Sequence, residues 1–431
     1  MKILSPLRNR DFALLYAGLT ISLLGDGIYL VAIAWQAYDI SNAPSAFALV
    51  GLAWSLSSVI FLLAGGVAAD RFERRRVMIA ADLVRAAALA LMGILSVTGS
   101  LEIWHMVAIV FVYAAGDAFF GPAFTALVPD ILRSDEMVQS SALEQFMRQS
   151  CRRLIGPVIG GAIIAAAGSG EALLVDAATF LVSAVTIVFV RARTHGVAEH
   201  VASARDDVIA GLRYARDRRW LWATFIISSL VTLTFFGPVE VLLPYLIRNE
   251  LDGTAADFGL VLAADGAGSV LASVLIAQRG LPKRSMALLY ASWGACTLPL
   301  IGYAIATSLL QLMILGAAFG ALITTGVIVF TTLLQTRVPA EMRGRMHSLD
   351  LFTSSSLGPL SFALTAPMAA AFGAETTLII AGSIMPVAAL LLYFVLKIGS
   401  QDAPLVSDEV PPAAGEQPAN EVEPEPAGSP A

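Results

Sequence analysis

Apolar residues fill this chain in blocks of roughly 20, long enough to cross a bilayer as a helix, with short polar stretches between them. The blocks are continuous rather than alternating. Only helices and closed barrels satisfy every backbone group in lipid, so continuous blocks predict helices. Twelve are expected, at about 12–38, 45–69, 77–98, 103–126, 144–168, 172–191, 220–247, 257–278, 285–306, 309–335, 347–371 and 376–397. The first block is too long for a signal-peptide core and lacks a credible cleavage site, so it is expected to remain as span 1. The polar stretch between spans 6 and 7 carries Asp206, Asp207, Arg213, Arg216, Arg218 and Arg219, the pattern of a basic amphipathic helix on a membrane surface. From about Gly399 the chain is rich in Pro, Ala and Glu without apolar periodicity, and disorder is expected there.

The basic residues set the orientation. With the N-terminus inside, 22 of the 27 Lys and Arg residues fall in cytoplasmic loops or ends. Only Arg248 lies in an outside loop, while Arg85, Arg148, Arg152 and Arg153 lie within or near spans. The positive-inside rule then places both termini in the cytoplasm of a multi-pass protein of the cell (inner or plasma) membrane.

A weak internal repeat shares one offset. Phe47-x-Leu49-Val50 matches Phe258-x-Leu260-Val261 and Ser58-Val59 matches Ser269-Val270, both 211 residues on; Val128-Pro129 matches Val338-Pro339 after 210. The reading is an all-α membrane protein of two six-helix pseudo-repeat halves, with a substrate site between them near the midplane. The expected divisions are an N-terminal half at 1–191, a cytoplasmic linker at 192–218, a C-terminal half at 219–398 and an acidic cytoplasmic tail at 399–431.

Composition agrees: 57% of residues are hydrophobic and 14% charged, against about a quarter charged in soluble domains. The net charge of −6 comes from the tail, where seven acidic residues follow position 401 and no basic one does. Nothing in that balance suggests nucleic acid. Cys151 and Cys296 sit far apart inside apolar blocks and read as small core residues, with no disulfide or metal framework. No Walker loop, dinucleotide fingerprint or His-x-x-Glu-His occurs, so neither an enzyme nor a cofactor is expected, and energy would have to come from an ion gradient.

Two motifs carry more. The stretch from Ala64 to Arg76 ends an apolar block in a tight charged turn, with Gly66, Asp70, Arg71, Arg74 and Arg75 in the order Gly-x-x-x-Asp-Arg-x-x-Arg-Arg. In span 5, Gly156-Pro157-Val158-Ile159-Gly160-Gly161 puts Gly156 and Gly160 on one face, where a neighbouring backbone can approach, and the proline removes a helical hydrogen bond. Alone, the first could be an ordinary basic loop and the second a plain packing motif. Together they resemble the span 2–3 loop and the span 5 signature of the major facilitator superfamily, in particular its macrolide and multidrug efflux branch of drug–proton antiporters. That family usually has a second glycine where this chain has Glu73. The resemblance implies a transporter that exports rather than imports, and implies that Asp70 meets the cytoplasmic start of span 11, near Met346 to Asp350, when the inner side closes.

The membrane acids are candidates for proton coupling. Asp26, between Gly25 and Gly27, lies 14 residues into span 1, where an unpaired carboxylate is costly. Asp117 in span 4 lies at similar depth, and Asp176, Glu240 and Asp265 lie in spans 6, 7 and 8. For each, a carboxylate simply paired to an arginine is the competing reading. Glu144, Arg148 and Arg152 follow at steps of four beside Arg153, either anchoring the cytoplasmic end of span 5 or forming a gate. Many drug–proton antiporters carry an arginine in the middle of span 4; here 107–118 has none, and His105, His195, His200 and His347 lie near span ends or in loops.

The expectation is a secondary transporter, working as a monomer in the lipid bilayer, that exports small amphipathic or hydrophobic molecules by proton antiport with alternating access. A proton-coupled importer and a non-transporting membrane sensor or assembly protein on the same scaffold are the rivals.

Overall fold

A computed structural model describes residues 2–133, 136–191 and 211–401, and among these every regular element is helical. The expected linker helix falls largely on 192–210 and the tail on 402–431, both outside the described residues; 211–216 is helical. Span 1 is Arg10–Ile40, span 2 Pro44–Arg71, span 3 Arg74–Val97, span 4 Ile103–Ile131 and span 6 Ser169–Val188. In the second half, span 7 is Arg219–Asn249, span 8 Ala255–Arg279, span 10 Leu309–Arg337 and span 12 Ala374–Val395. Three spans are interrupted. Span 5 begins as Met137–Met147, well before the expected start at 144, passes through a π-helical stretch at Arg148–Ile155 and finishes as Gly156–Ala166. Span 9 divides into Ser285–Ala295 and Leu298–Ala304, where Pro299 cannot donate the helical bond back to Ala295. Span 11 divides into Ala340–Ser356 and Gly358–Phe372, with Pro359 just past the break.

Local chemistry sets several ends. The Asn9 side chain accepts from the backbone N–H groups of Asp11 and Phe12 (3.0 and 3.3 Å), capping span 1, and its amide donates to the Ile131 carbonyl at 3.0 Å. One residue thereby fixes the start of span 1 against the end of span 4. Thr254 and Asp257 form a reciprocal capping box that starts span 8.

Within the first half, span 1 packs on spans 5 and 6, span 3 on 4 and 6, and span 2 on 4. Within the second, span 8 packs on 10, span 9 on 10 and 12, and span 7 on 11 and 12. Span 2 meets span 11, and span 5 meets span 8. A shift of six spans carries the first of these pairs onto the second, as a twofold between the halves requires.

The two ends of that seam differ. At the end away from the basic turn, the Tyr38 hydroxyl donates to the Val241 carbonyl (2.6 Å), Arg248 pairs with Asp39 (2.6 Å) and the Asn42 and Asn249 amides bond each other (2.6 and 3.1 Å). Towards the basic end the halves part around a cavity that reaches Thr125 and Ala126, within two turns of the end of span 4.

Candidate functional site

The cavity at the seam has a volume of about 820 Å³ and takes walls from both halves. Its apolar walls are strongly aromatic, with Trp54 from span 2, Phe235 and Phe236 from span 7, Phe258 from span 8 and Phe362 from span 11. Six charged residues also line it: Asp26, Asp117, Arg152, Arg153, Glu240 and Asp265. Such a surface can hold an apolar body while a few polar groups set its orientation.

Asp26 reaches the midplane because small residues let neighbours crowd span 1. Asp176 and Thr179 of span 6 press on Gly25, and a Cβ on Gly27 would lie 2.7 Å from the Cα of Gly156. Asp26 is buried, and its Oδ1 accepts a hydrogen bond from the Tyr113 hydroxyl at 3.0 Å. Tyr113 in turn stacks on Tyr29, with ring centroids 4.7 Å apart.

Asp117 is more open, its side chain 46% exposed to the cavity, and it pairs with Arg85 at 3.3 Å. Arg85 comes from span 3 and is almost wholly buried, bonded also to Asp82 on its own helix and held between the rings of Phe120 (4.5 Å) and Phe180 (4.2 Å). The arginine missing from span 4 is thus supplied by the adjacent span, at the depth of the span 4 acid. Asp82 and Arg85 form a site that sequence reasoning passed over. Their signal is Asp82-Leu83-Val84-Arg85, an i,i+3 charge pair inside an apolar block.

Arg153 pairs with Asp265 of span 8 at 2.8 Å, an ion pair that joins the two halves. Arg152 and Arg153 therefore face the cavity rather than the membrane surface expected for them, while Arg148 stays with Glu144 at 2.9 Å. The common face expected for Glu144, Arg148 and Arg152 assumed an unbroken α-helix; the π stretch widens the turn and swings Arg152 away. Glu240 lines the cavity without a hydrogen bond or ion pair. Asp176 lies outside it, fully buried, where the Thr179 hydroxyl donates to its Oδ1 at 3.0 Å. Among the described residues no cluster of His, Cys, Asp and Glu could hold a metal ion.

The span 5 glycines sit at a three-way junction. A Cβ on Gly156 would meet Gly27 of span 1 at 2.7 Å, one on Gly160 would meet Ile28 at 2.9 Å, and one on Gly161 would meet Ala256 of span 8 at 2.8 Å. The basic turn is anchored differently from its two sides. Arg74 pairs with Asp130 (2.6 Å) and donates to the Ala126 carbonyl, while Arg75 donates to the carbonyls of Val188 and Val190 at the end of span 6. Glu73, at the position where a glycine was expected, holds both Arg75 (3.3 Å) and Arg76 (2.6 Å). Asp70 and Arg71 are exposed, and a Cβ on Gly66 would meet nothing within 4 Å.

Residues 1–422 match the family described as "Transmembrane secretion effector". The chain is 22% identical over 397 residues to macrolide efflux protein A of Streptococcus pyogenes, covering 91% of this chain and 97% of that one. It is 26% identical over 379 residues to the multidrug efflux pump Tap of Mycolicibacterium fortuitum, covering 84% and 90%. Among solved structures, an auto-inhibited POT family peptide transporter superposes with a TM-score of 0.74 at 12% identity, over 93% of this chain and 99% of that one. A bacterial homologue of the human lysosomal transporter Spinster, inward-facing and unoccupied, gives 0.69 at 14% identity over 91% and 98%.

Proposed function

Because this chain belongs to the transmembrane secretion effector family of major facilitator transporters, we propose that it exports small amphipathic or hydrophobic molecules in exchange for protons. The observation that carries this is a single large cavity at the seam of the halves, aromatic on its walls and studded with carboxylates, closed at one end only. Relatives named as macrolide and multidrug efflux proteins support the export direction. The distribution of basic residues favours a cytoplasmic basic end, so the cavity faces the side from which an exporter loads.

Alternating access then requires the Arg248–Asp39 and Arg153–Asp265 pairs to break as the halves rock. Asp26 and Asp117 are the proton carriers in this scheme. Arg85 and Tyr113 hold them while ionised, and a proton on Asp117 releases one of the two carboxylates on Arg85. The protein works as a monomer, since each half supplies part of one site.

Reconstituted vesicles with an imposed proton gradient test the reading. Uphill movement of a fluorescent drug against the direction of proton flow is expected, whereas movement with the protons would make the protein an importer. Asp26→Asn and Asp117→Asn should each abolish uphill transport and leave downhill exchange. Full uphill transport in both variants would move the coupling acid to Glu240 or Asp265. Absence of any substrate-dependent proton flux would favour a sensor or assembly role on this scaffold.

A further inference from the structure

Every cavity carboxylate except one already has a partner. Asp26 is held by Tyr113, Asp117 by Arg85 and Asp265 by Arg153. Glu240 has no hydrogen bond and no ion pair, yet it lines the cavity and its residue is only partly buried. Span 7 places it one helical turn from Phe236 and one from Leu243, and all three face the same space, together with Phe235 and Val239. The neighbouring stretch of wall is apolar and aromatic, so few water molecules compete for the carboxylate there, and ring faces stand by to attract a cation.

We infer that Glu240 is a subsite for the positive group of a lipophilic organic cation, whose apolar body lies against the span 7 phenylalanines. Charge within the cavity agrees. Its lining carries four carboxylates and two guanidiniums, and Arg153 is already spent on Asp265. Arg152, the other guanidinium, comes from span 5 in the opposite half, so span 7 itself presents Glu240 with no basic residue among its cavity-lining positions. An anionic or neutral apolar compound of equal size would leave Glu240 desolvated and unpaired, a cost that selects for the cation.

The inference rests on the export reading only in taking this cavity as the substrate site, and it says nothing of direction or coupling. Its test is therefore equilibrium binding to the purified full-length protein in detergent, without any gradient. Fluorescence anisotropy would be measured with rhodamine 6G, a permanent cation, and with Nile red, a neutral planar dye. Wild-type protein should bind rhodamine 6G. Glu240→Gln should weaken that binding about tenfold or more, the size expected from losing a charged partner, and leave Nile red binding within about twofold. Glu240→Asp, which keeps the charge, should recover most of the rhodamine affinity, and Nile red binding reports that each variant is folded. Equal rhodamine affinity in wild type and Glu240→Gln would overturn the subsite, as would wild-type protein that binds Nile red but not rhodamine 6G. Failure of vesicle export with this binding pattern intact would leave the subsite standing and remove only the direction.

Discussion

Arg85 is the residue on which the midplane chemistry turns. It is 2% exposed and bridges a fully buried Asp82 to a cavity-facing Asp117, with two phenylalanine rings closing the remaining sides. Removing one partner of such a buried pair leaves an uncompensated charge, at a cost of about 3–5 kcal/mol. Arg85→Gln should therefore lower the thermal unfolding midpoint markedly, and adding Asp82→Asn should restore most of it. Uphill transport should stay lost in the double variant, because Asp117 still lacks its cation. A midpoint for Arg85→Gln equal to wild type would show that the triad does not hold span 3 to span 4. The acids of this site were legible from their depth in apolar blocks, Asp26 and Asp117 above all. Their partners were not, because a guanidinium can reach across from any neighbouring helix. Nothing in the order of residues says that span 3 lies beside span 4 with Arg85 level with Asp117.

At the scale of elements, the spans were readable wherever length and apolarity decide the matter, and less so where backbone geometry does. Spans 1–4 and 6–8 follow the blocks closely, since burying about 20 apolar residues in lipid admits few alternatives. Span 5 differs because its first turns, Met137–Met147, are polar enough to read as loop, and because a π stretch is invisible to a period count. That stretch matters to the site: it turns Arg152 and Arg153 inward and delivers Gly156 against Gly27. Gly156→Ala would place a methyl carbon 2.7 Å from the Gly27 Cα, where neither backbone can yield without moving a helix. Overpacking of this kind costs about 1–3 kcal/mol, so a lower melting midpoint and weaker dye binding are expected. Gly121→Ala, on the cavity wall with nothing within 4 Å, is the matched control and should melt as wild type does. Equal midpoints for the two substitutions would mean that the span 1–5 contact is softer than its spacing implies.

At the scale of the whole molecule, the residues with no neighbours are the informative ones. Gly66 faces open space and Asp70 is exposed without a partner, although Arg74 and Arg75 in the same turn are firmly anchored to spans 4 and 6. A motif that is idle in one conformation has its contacts in another. When the halves close at the basic end, Asp70 is brought towards the start of span 11, where the unpaired N–H groups of a helix N-terminus attract an anion by about 0.3–2 kcal/mol. Its aligned position in the second half is Leu281, which packs on apolar core, so no symmetric contact compensates. Asp70→Asn should accordingly leave the melting midpoint of the open form unchanged. It should instead weaken the closed form; a loss of about 1.4 kcal/mol would shift the population tenfold and slow cycling without removing the cavity. Leu281→Asp should not rescue it. Spin labels on cysteines replacing Phe72 and Glu341 would report the separation of spans 2 and 11 directly. In wild type a closed population with a shorter distance is expected under a substrate gradient, and Asp70→Asn should deplete it. If the distance distribution and the transport rate both match wild type, Asp70 is a loop charge and the closed state is held elsewhere.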